Sequence, residues 1–253
     1  MSGSQDNSAQ SFFLALLDGF DGAIRAGKAR GAGDPRLIDG LVGRAVELFE
    51  RNAEIQSEGL PAPACARGCD ACCALQVSAT APEIFFGARF LRLTAPAFAA
   101  HGVDFAARVA AFAAQARHLD QQARFASGRP CPFIIIGGAC AIYSARPLAC
   151  RGHVGFDRAA CEAAARGEDV EAPVSAAHRT VRALTQGALQ AAMRDNGLEW
   201  GASEFVSGLD RALGEPEAEA RWLRGESVFA DQRVDAEEEL GLAASRDALP
   251  RRN

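Results

Sequence analysis

Long apolar runs are missing from this sequence. No window approaches about 18 uninterrupted apolar residues, so no membrane-spanning helix and no membrane partner are expected. Long basic runs are missing too. Lys plus Arg is 27 against 32 for Asp plus Glu, a formal charge of -5. Such a chain is a poor general binder of polyanions, and no nucleic-acid partner is expected. The short apolar stretch Ser11-Phe12-Phe13-Leu14-Ala15-Leu16-Leu17 has no basic residue before it, and Asp18 ends it. It does not read as a secretory signal, and a cytoplasmic, reducing location is expected. There is no repeat of fixed period, no phosphate-cradling loop and no serine–histidine–carboxylate arrangement. Cysteine is sparse, 8 of 253 residues, about 3% against the roughly 8–10% of disulfide scaffolds. A chain of this length, 49% hydrophobic, buries a core without such staples. In a reducing compartment, thiols that cluster more often bind metal or carry out redox chemistry.

What is present reads mostly as helix. Ala, Leu, Arg and Glu are abundant, and β-branched runs are rare. Phe13, Leu16, Leu17, Phe20 and Ile24 recur at helical spacing over 11–29. Gly31 to Pro35 breaks that helix, with Asp34 as N-cap and Pro35 at the first helical position of the next. Leu37, Leu41, Ala45, Leu48, Phe49 and Ile55 form the second stripe, to about Ser57. Thr80-Ala81-Pro82-Glu83 fits a capping box and predicts a helix to about Leu93. A loop is expected over 94–102 and one long helix over 103–125. Phe133-Ile134-Ile135-Ile136 is the best strand candidate, turned by Gly137-Gly138 into Ala141-Ile142-Tyr143 as a hairpin. Helix returns over 174–196, with Gly197 as its C-terminal stop, and two short helices follow near 203–213 and 216–224. The acidic run at Asp235 and Glu237-Glu238-Glu239 reads as a solvated tail.

The cysteines are not scattered. Cys65, Cys69, Cys72 and Cys73 fall within nine residues, and Cys131, Cys140, Cys150 and Cys161 within thirty-one. A single buried cysteine is often just a small hydrophobe, but two groups of four point to ligation. In helical geometry Cys65, Cys69 and Cys72 or Cys73 would share a face, and three sulfurs on one face can converge on a metal. Adjacent Cys72 and Cys73 diverge by roughly 100° on a helix. They imply either two neighbouring metal centres or one ligand beside one packed thiol. Prolines flank Cys131 and precede Cys150, which keeps the second group in rigid loops. Spacings of nine, ten and eleven match neither a zinc finger nor a bacterial ferredoxin run. The two groups must therefore meet across the helix between them.

Thiolates concentrate negative charge, which nearby cations offset. Arg67, Arg146 and Arg151 adjoin the cysteines, and Arg146 and Arg151 are expected to support the ligands directly. His153, three residues after Cys150, is a candidate nitrogen ligand or a packed imidazole. Tyr143, the only tyrosine, sits inside the second group, and packing is its expected role. Phe133 to Ile136 form the expected apolar wall. Glu83 is expected to cap a helix rather than bind metal, and His101, His118 and His178 to be structural.

These residues carry a resemblance. Cys65 to Cys73, Pro82-Glu83, Cys131-Pro132-Phe133, Cys140-x-Ile142-Tyr143 and Arg146-Pro147-x-x-Cys150-Arg151 resemble the bacterial cysteine-cluster family often called YkgJ-like. Its pattern is CxxCxxCC followed by CPF/L and CxIYxxRPxxCR. The first step here is Cys-x-x-x-Cys instead of Cys-x-x-Cys. The resemblance covers about 64–155 and implies zinc or iron bound through cysteines. A similar module in flagellin lysine methylases is associated with an iron–sulfur cluster. No glycine-rich strand-to-helix loop is present here, so methyl transfer is not carried over.

The expected fold is mainly α, with Cys-rich loops and one small hairpin around a metal site. N-terminal helices span 1–63, a cysteine-cluster metal-binding domain 64–161, C-terminal helices packed on it 162–230, and a flexible charged tail 231–253. The expected function is chelation of zinc or iron by thiolates from both segments. The alternatives are an iron–sulfur protein with a redox, sensing or catalytic role, and a thiol–disulfide protein.

Overall fold

A computed structural model describes residues 2–31, 33–116 and 118–234, with side chains from Ala9 onward. Among these residues ten α-helices and one two-stranded sheet make a mainly α fold. Helices α1 (Ser2–Arg30) and α2 (Arg36–Gln56) bury the expected stripes: Phe13, Leu16, Phe20 and Ile24 on one, Leu37, Leu41, Ala45 and Phe49 on the other. Ile55, expected in the second stripe, is 48% exposed because it lies in the last turn beyond the packed face. Asp34 accepts a hydrogen bond from the Arg36 backbone N–H (3.1 Å), fixing the start of α2.

Helix α3 (Ala81–Ala99) starts where the Thr80–Glu83 pair predicts and runs through the expected loop, with Pro96 inside it. A proline this close to a helix end removes one hydrogen bond of the last turn. That turn is held by Phe98, whose ring meets Phe105 edge-on at 4.7 Å. The expected long helix over 103–125 is two helices, α4 (Phe105–Ala116) and α5 (Gln121–Ala126). Asp120 divides them: its carboxylate accepts from the Ala123 N–H (2.7 Å) and caps the second. Two short helices, α6 (Leu148–Gly152) and α7 (Arg158–Ala165), lie in the second cysteine segment. Helix α8 (Ala176–Asp195) follows the Ser175 cap, and α9 (Phe205–Gly214) and α10 (Ala218–Leu223) close the described chain.

The expected hairpin over 133–143 is not a pair of strands. It is a tight turn with a single antiparallel bridge, Ile134 to Cys140, and Ile136 at its tip is fully exposed. The apolar run has no neighbouring strand to extend it, and Gly137 and Gly138 turn the chain at once. The sheet lies elsewhere. Strand β1 (Ser78–Thr80) pairs antiparallel with β2 (Ala202–Glu204), Ala79 opposite Ser203. This pairing joins residues 124 positions apart in sequence and lays α9 against α3.

One core runs through the helices, with Phe20, Ile38, Ile84, Phe85, Leu189 and Trp222 buried in it. Helix α8 packs against α1, α2 and α6, while α9 packs against α3 and α4. Arg124, 2% exposed, lies over the Phe112 ring at 4.7 Å and pairs with Glu204 at 2.7 Å. Glu204 also caps α9 by accepting from the Ser207 N–H. Val234 N–H donates to the Ala202 carbonyl. The rest of the acidic tail, including Asp235 and Glu237 to Glu239, lies outside the described residues. No helix among those described is long and apolar enough to cross a membrane.

Helices α3 and α9 approach closely at Gly208, where a β-carbon would stand 2.6 Å from Ile84 Cδ1. Overpacking a tight core contact typically costs about 1–3 kcal/mol. Gly208→Val is therefore expected to lower stability by about that amount, measured by denaturant unfolding.

Candidate metal centre

The first cysteine segment is not helical. Residues 64–76 form successive turns, closed by Cys69 N–H to Ala66 O, Cys73 N–H to Asp70 O and Leu75 N–H to Cys72 O. Pro61 and Pro63 precede it, and Gly68 has φ +92, outside the right-handed helical region. The shared helical face expected for Cys65, Cys69 and Cys72 is replaced by a looped chain. In the second segment Cys131 and Cys140 are in loops as expected, but Cys150 is on α6 and Cys161 on α7. Pro147 initiates α6 instead of preventing it, since proline fits just ahead of a helix.

Three sets of contacts join the segments. Cys131 N–H donates to the Cys73 carbonyl at 2.8 Å, and Ala64 N–H to the Gly155 carbonyl at 2.9 Å. Gly155 N–H in turn donates to Cys65 Sγ at 3.2 Å. The third is steric. A β-carbon on Gly138, itself at φ +73, would stand 2.6 Å from the Gly68 carbonyl oxygen, so the two turns touch through bare backbone.

Seven of the eight cysteines line one cavity; Cys161 stands just behind it, its Sγ against Gly155. Cys65 is exposed and the other seven are half-buried. The sulfurs act on one another electrostatically. Cys150 is acted on by Cys131, Cys72 and Cys140, and Cys73 by Cys72, Cys131 and Cys150. Cys161 is acted on by Cys65, Cys72 and Cys69. Cys72 acts on Cys73 and Cys150 as well as on Cys65 and Cys161, so it links the sulfurs of both segments. Among the described residues no three His, Cys, Asp or Glu side chains close on a single point. They face a shared space instead.

Burial makes these thiols hold their protons. It pushes Cys131 up from the usual 9.0 to about 12, and raises Cys65, Cys140, Cys150 and Cys161. Cys72 is the exception: the Cys73 thiol donates to it and holds it down at about 7, which raises Cys73. Removing charge from water disfavours thiolates until a cation joins them. Arg146 favours ionisation of Cys65, Cys72, Cys140 and Cys150, and Arg124 that of Cys131.

Arg146 is held in place from both sides. Its guanidinium lies 3.6 Å from the centre of the Tyr143 ring, and its Nε donates to the Tyr143 carbonyl. Arg151 donates to the carbonyls of Arg146 (3.0 Å) and Ser144 (2.7 Å) and pairs with Glu50 on α2. Tyr143 is thus a platform for Arg146, 38% exposed rather than packed inside. His153 faces the cavity, and burial followed by Arg179 and Arg182 lowers its pKa, which favours the neutral, donor-competent imidazole. His178 also faces the cavity while bonding Ser175 Oγ at 2.8 Å, a cap-side role.

Glu83 has a part the sequence does not reveal. Buried and only 3% exposed, it accepts from Thr80 N–H and Oγ1 (both 2.8 Å) and from Leu148 N–H (2.7 Å). Leu148 is the first residue of α6, so one carboxylate fixes the start of α3 and the helix that carries Cys150. Arg179 and Arg182 on α8 are the other residues missed. They lie beyond the cysteine pattern, and nothing local marks them.

Two outcomes follow. Glu83→Gln replaces acceptors with an amide that cannot serve all three donors, and is expected to cost about 1–3 kcal/mol of stability in thermal or denaturant unfolding. For metal-free protein, Cys72 retains less proton than the unfolded chain from about pH 7 upward, so stability first rises; the several raised thiols keep protons that the unfolded chain begins to lose from about pH 8, and together they outweigh Cys72, so stability then falls. Unfolding curves across about pH 6–11 are expected to peak near pH 8, with a shallower alkaline fall in Cys131→Ser/Cys150→Ser.

The donor set suits a soft metal: thiols predominate, an imidazole adjoins them, and no carboxylate faces the cavity among the described residues. Comparison with curated proteins and with solved structures finds no match. Residues 64–165 match the family model described as "CxxCxxCC: Putative zinc- or iron-chelating domain". The match covers the segment that carries all eight cysteines, and the helices on either side lie outside it.

Proposed function

We propose that the protein binds zinc or iron through thiolates of both cysteine segments, the ligands drawn from Cys65, Cys69, Cys72, Cys73, Cys131, Cys140, Cys150 and Cys161. The observation that carries this reading is that cysteines of both segments line one cavity, with Cys131 N–H bonded to the Cys73 carbonyl at 2.8 Å. Arg146 offsets thiolate charge, Tyr143 and Arg151 hold Arg146, and Glu83 sets the position of Cys150. His153 is an additional nitrogen donor at the rim. A closed set of four thiolates would make a structural or storage site. The protons released on binding leave through the open side of the cavity, where Cys65 is exposed.

The second reading is an iron–sulfur protein. The sulfurs surround a space wider than a single ion needs, within a cavity of about 890 Å³, and thiolate ligands suit such clusters equally well. A bound cluster supplies one-electron chemistry.

Purification without oxygen, followed by elemental analysis, acid-labile sulfide assay and a visible spectrum, tests both. Colourless protein with zinc supports the first, and brown absorbance with sulfide the second. Metal-free protein with paired cysteines would replace both with thiol–disulfide chemistry. For the zinc case, about two ions per chain are expected, falling to about one in Cys131→Ser/Cys150→Ser. Chelation is expected to lower the melting temperature, because metal affinity is folding free energy at such sites.

A further inference from the structure

The cavity has room beyond what ligated ions require. Its volume of about 890 Å³ lies in the range of pockets for small organic molecules, about 300–1,000 Å³. Its charge also runs against that of the whole chain. The protein carries -5 overall, yet Arg146, Arg151, Arg179 and Arg182 face this cavity, and among the described residues no aspartate or glutamate does.

The arginines have separate roles. Arg151 is engaged by Glu50 and two carbonyls, and Arg146 acts on the sulfurs. Arg179 and Arg182 act on His153, and Arg182 also acts on Glu83 and donates to Gln186 Oε1 at 3.2 Å. They are three residues apart on α8 and so share a face. They also lie within the first two turns of that helix, with His178 beside them and no acidic residue in the first turn. Aligned peptide dipoles make a helix N-terminus positive, so cations there act against the helix. Such local conflicts are characteristic of functional positions. Half-buried Leu75 and Val77 give the same cavity an apolar wall, backed by the core residues Phe205 and Val206.

We propose that this cavity binds a small organic anion, a carboxylate or phosphate on an apolar body, with Arg179 and Arg182 holding the charged group and the Leu75–Val77 side receiving the body. The proposal goes beyond metal binding and stands on residues that reading does not use. The ligand would sit beside the sulfurs, within reach of whatever centre they hold.

The test is calorimetric titration of full-length protein in about 0.15 M salt, with metal content measured on the same sample. The probes are phenyl phosphate, phenylacetate and the uncharged 2-phenylethanol. At least one anion is expected to bind saturably and about tenfold or more tighter than the alcohol; which one identifies the phosphate or carboxylate source. Arg179→Gln and Arg182→Gln are each expected to weaken that binding about fivefold or more with metal content unchanged. Should Arg182→Gln fail to fold, Arg179→Gln with its melting temperature decides alone. Anions that bind no tighter than the alcohol, or undiminished affinity in Arg179→Gln, would overturn the proposal. Anion binding in protein that takes up no metal would sink only the metal reading, and metal uptake without anion binding only this one.

Discussion

Bare backbone holds the two cysteine segments together. Cys131 N–H meets the Cys73 carbonyl, Gly155 meets both Ala64 and Cys65, and Gly138 lies on the Gly68 carbonyl with no room for a side chain. These contacts crowd thiols into one partly dry space, and crowding decides their chemistry. A thiolate there has lost water and gained sulfur neighbours of the same sign, so the proton stays unless positive charge arrives. Arg146 supplies part of that charge. A soft metal cation would supply the rest, which makes protonation and metal binding two answers to one electrostatic demand.

The surrounding helices serve this arrangement by position. Glu83 couples the start of α3 to the start of α6 through three accepted hydrogen bonds, and α6 carries Cys150. Arg151 ties the turn beneath Arg146 to α2 through Glu50. Helix α8, packed against α1, α2 and α6, brings two arginines to the cavity from outside the cysteine segments. Helix α8 thereby adds two cations to a cavity that Arg146 and Arg151 already line from the cysteine segment.

The sequence reading fared best where the signal was local. The stripes of α1 and α2, the Thr80–Glu83 start of α3 and the α8 boundaries with Gly197 all depend on neighbours within a few residues. It fared worst where partners were distant. Phe133 to Ile136 has the composition of a strand but meets no second strand, while Ser78–Thr80, short and unremarkable, pairs with Ala202–Glu204. The loop expected over 94–102 is helix as far as Ala99, its last turn retained by Phe98 on Phe105.

Residue chemistry and order by themselves determined that eight thiols come in two groups of four, that helices surround them, and that Arg146 and Arg151 accompany Cys150. Those are properties of composition and short spacing. Only the tertiary structure decided which sulfurs are neighbours, that Glu83 sets α6, and that Arg179 and Arg182 face the same cavity. Each of these requires chain segments tens of residues apart to share a few ångströms, and that proximity is set by long-range packing and pairing rather than by any local preference of the chain.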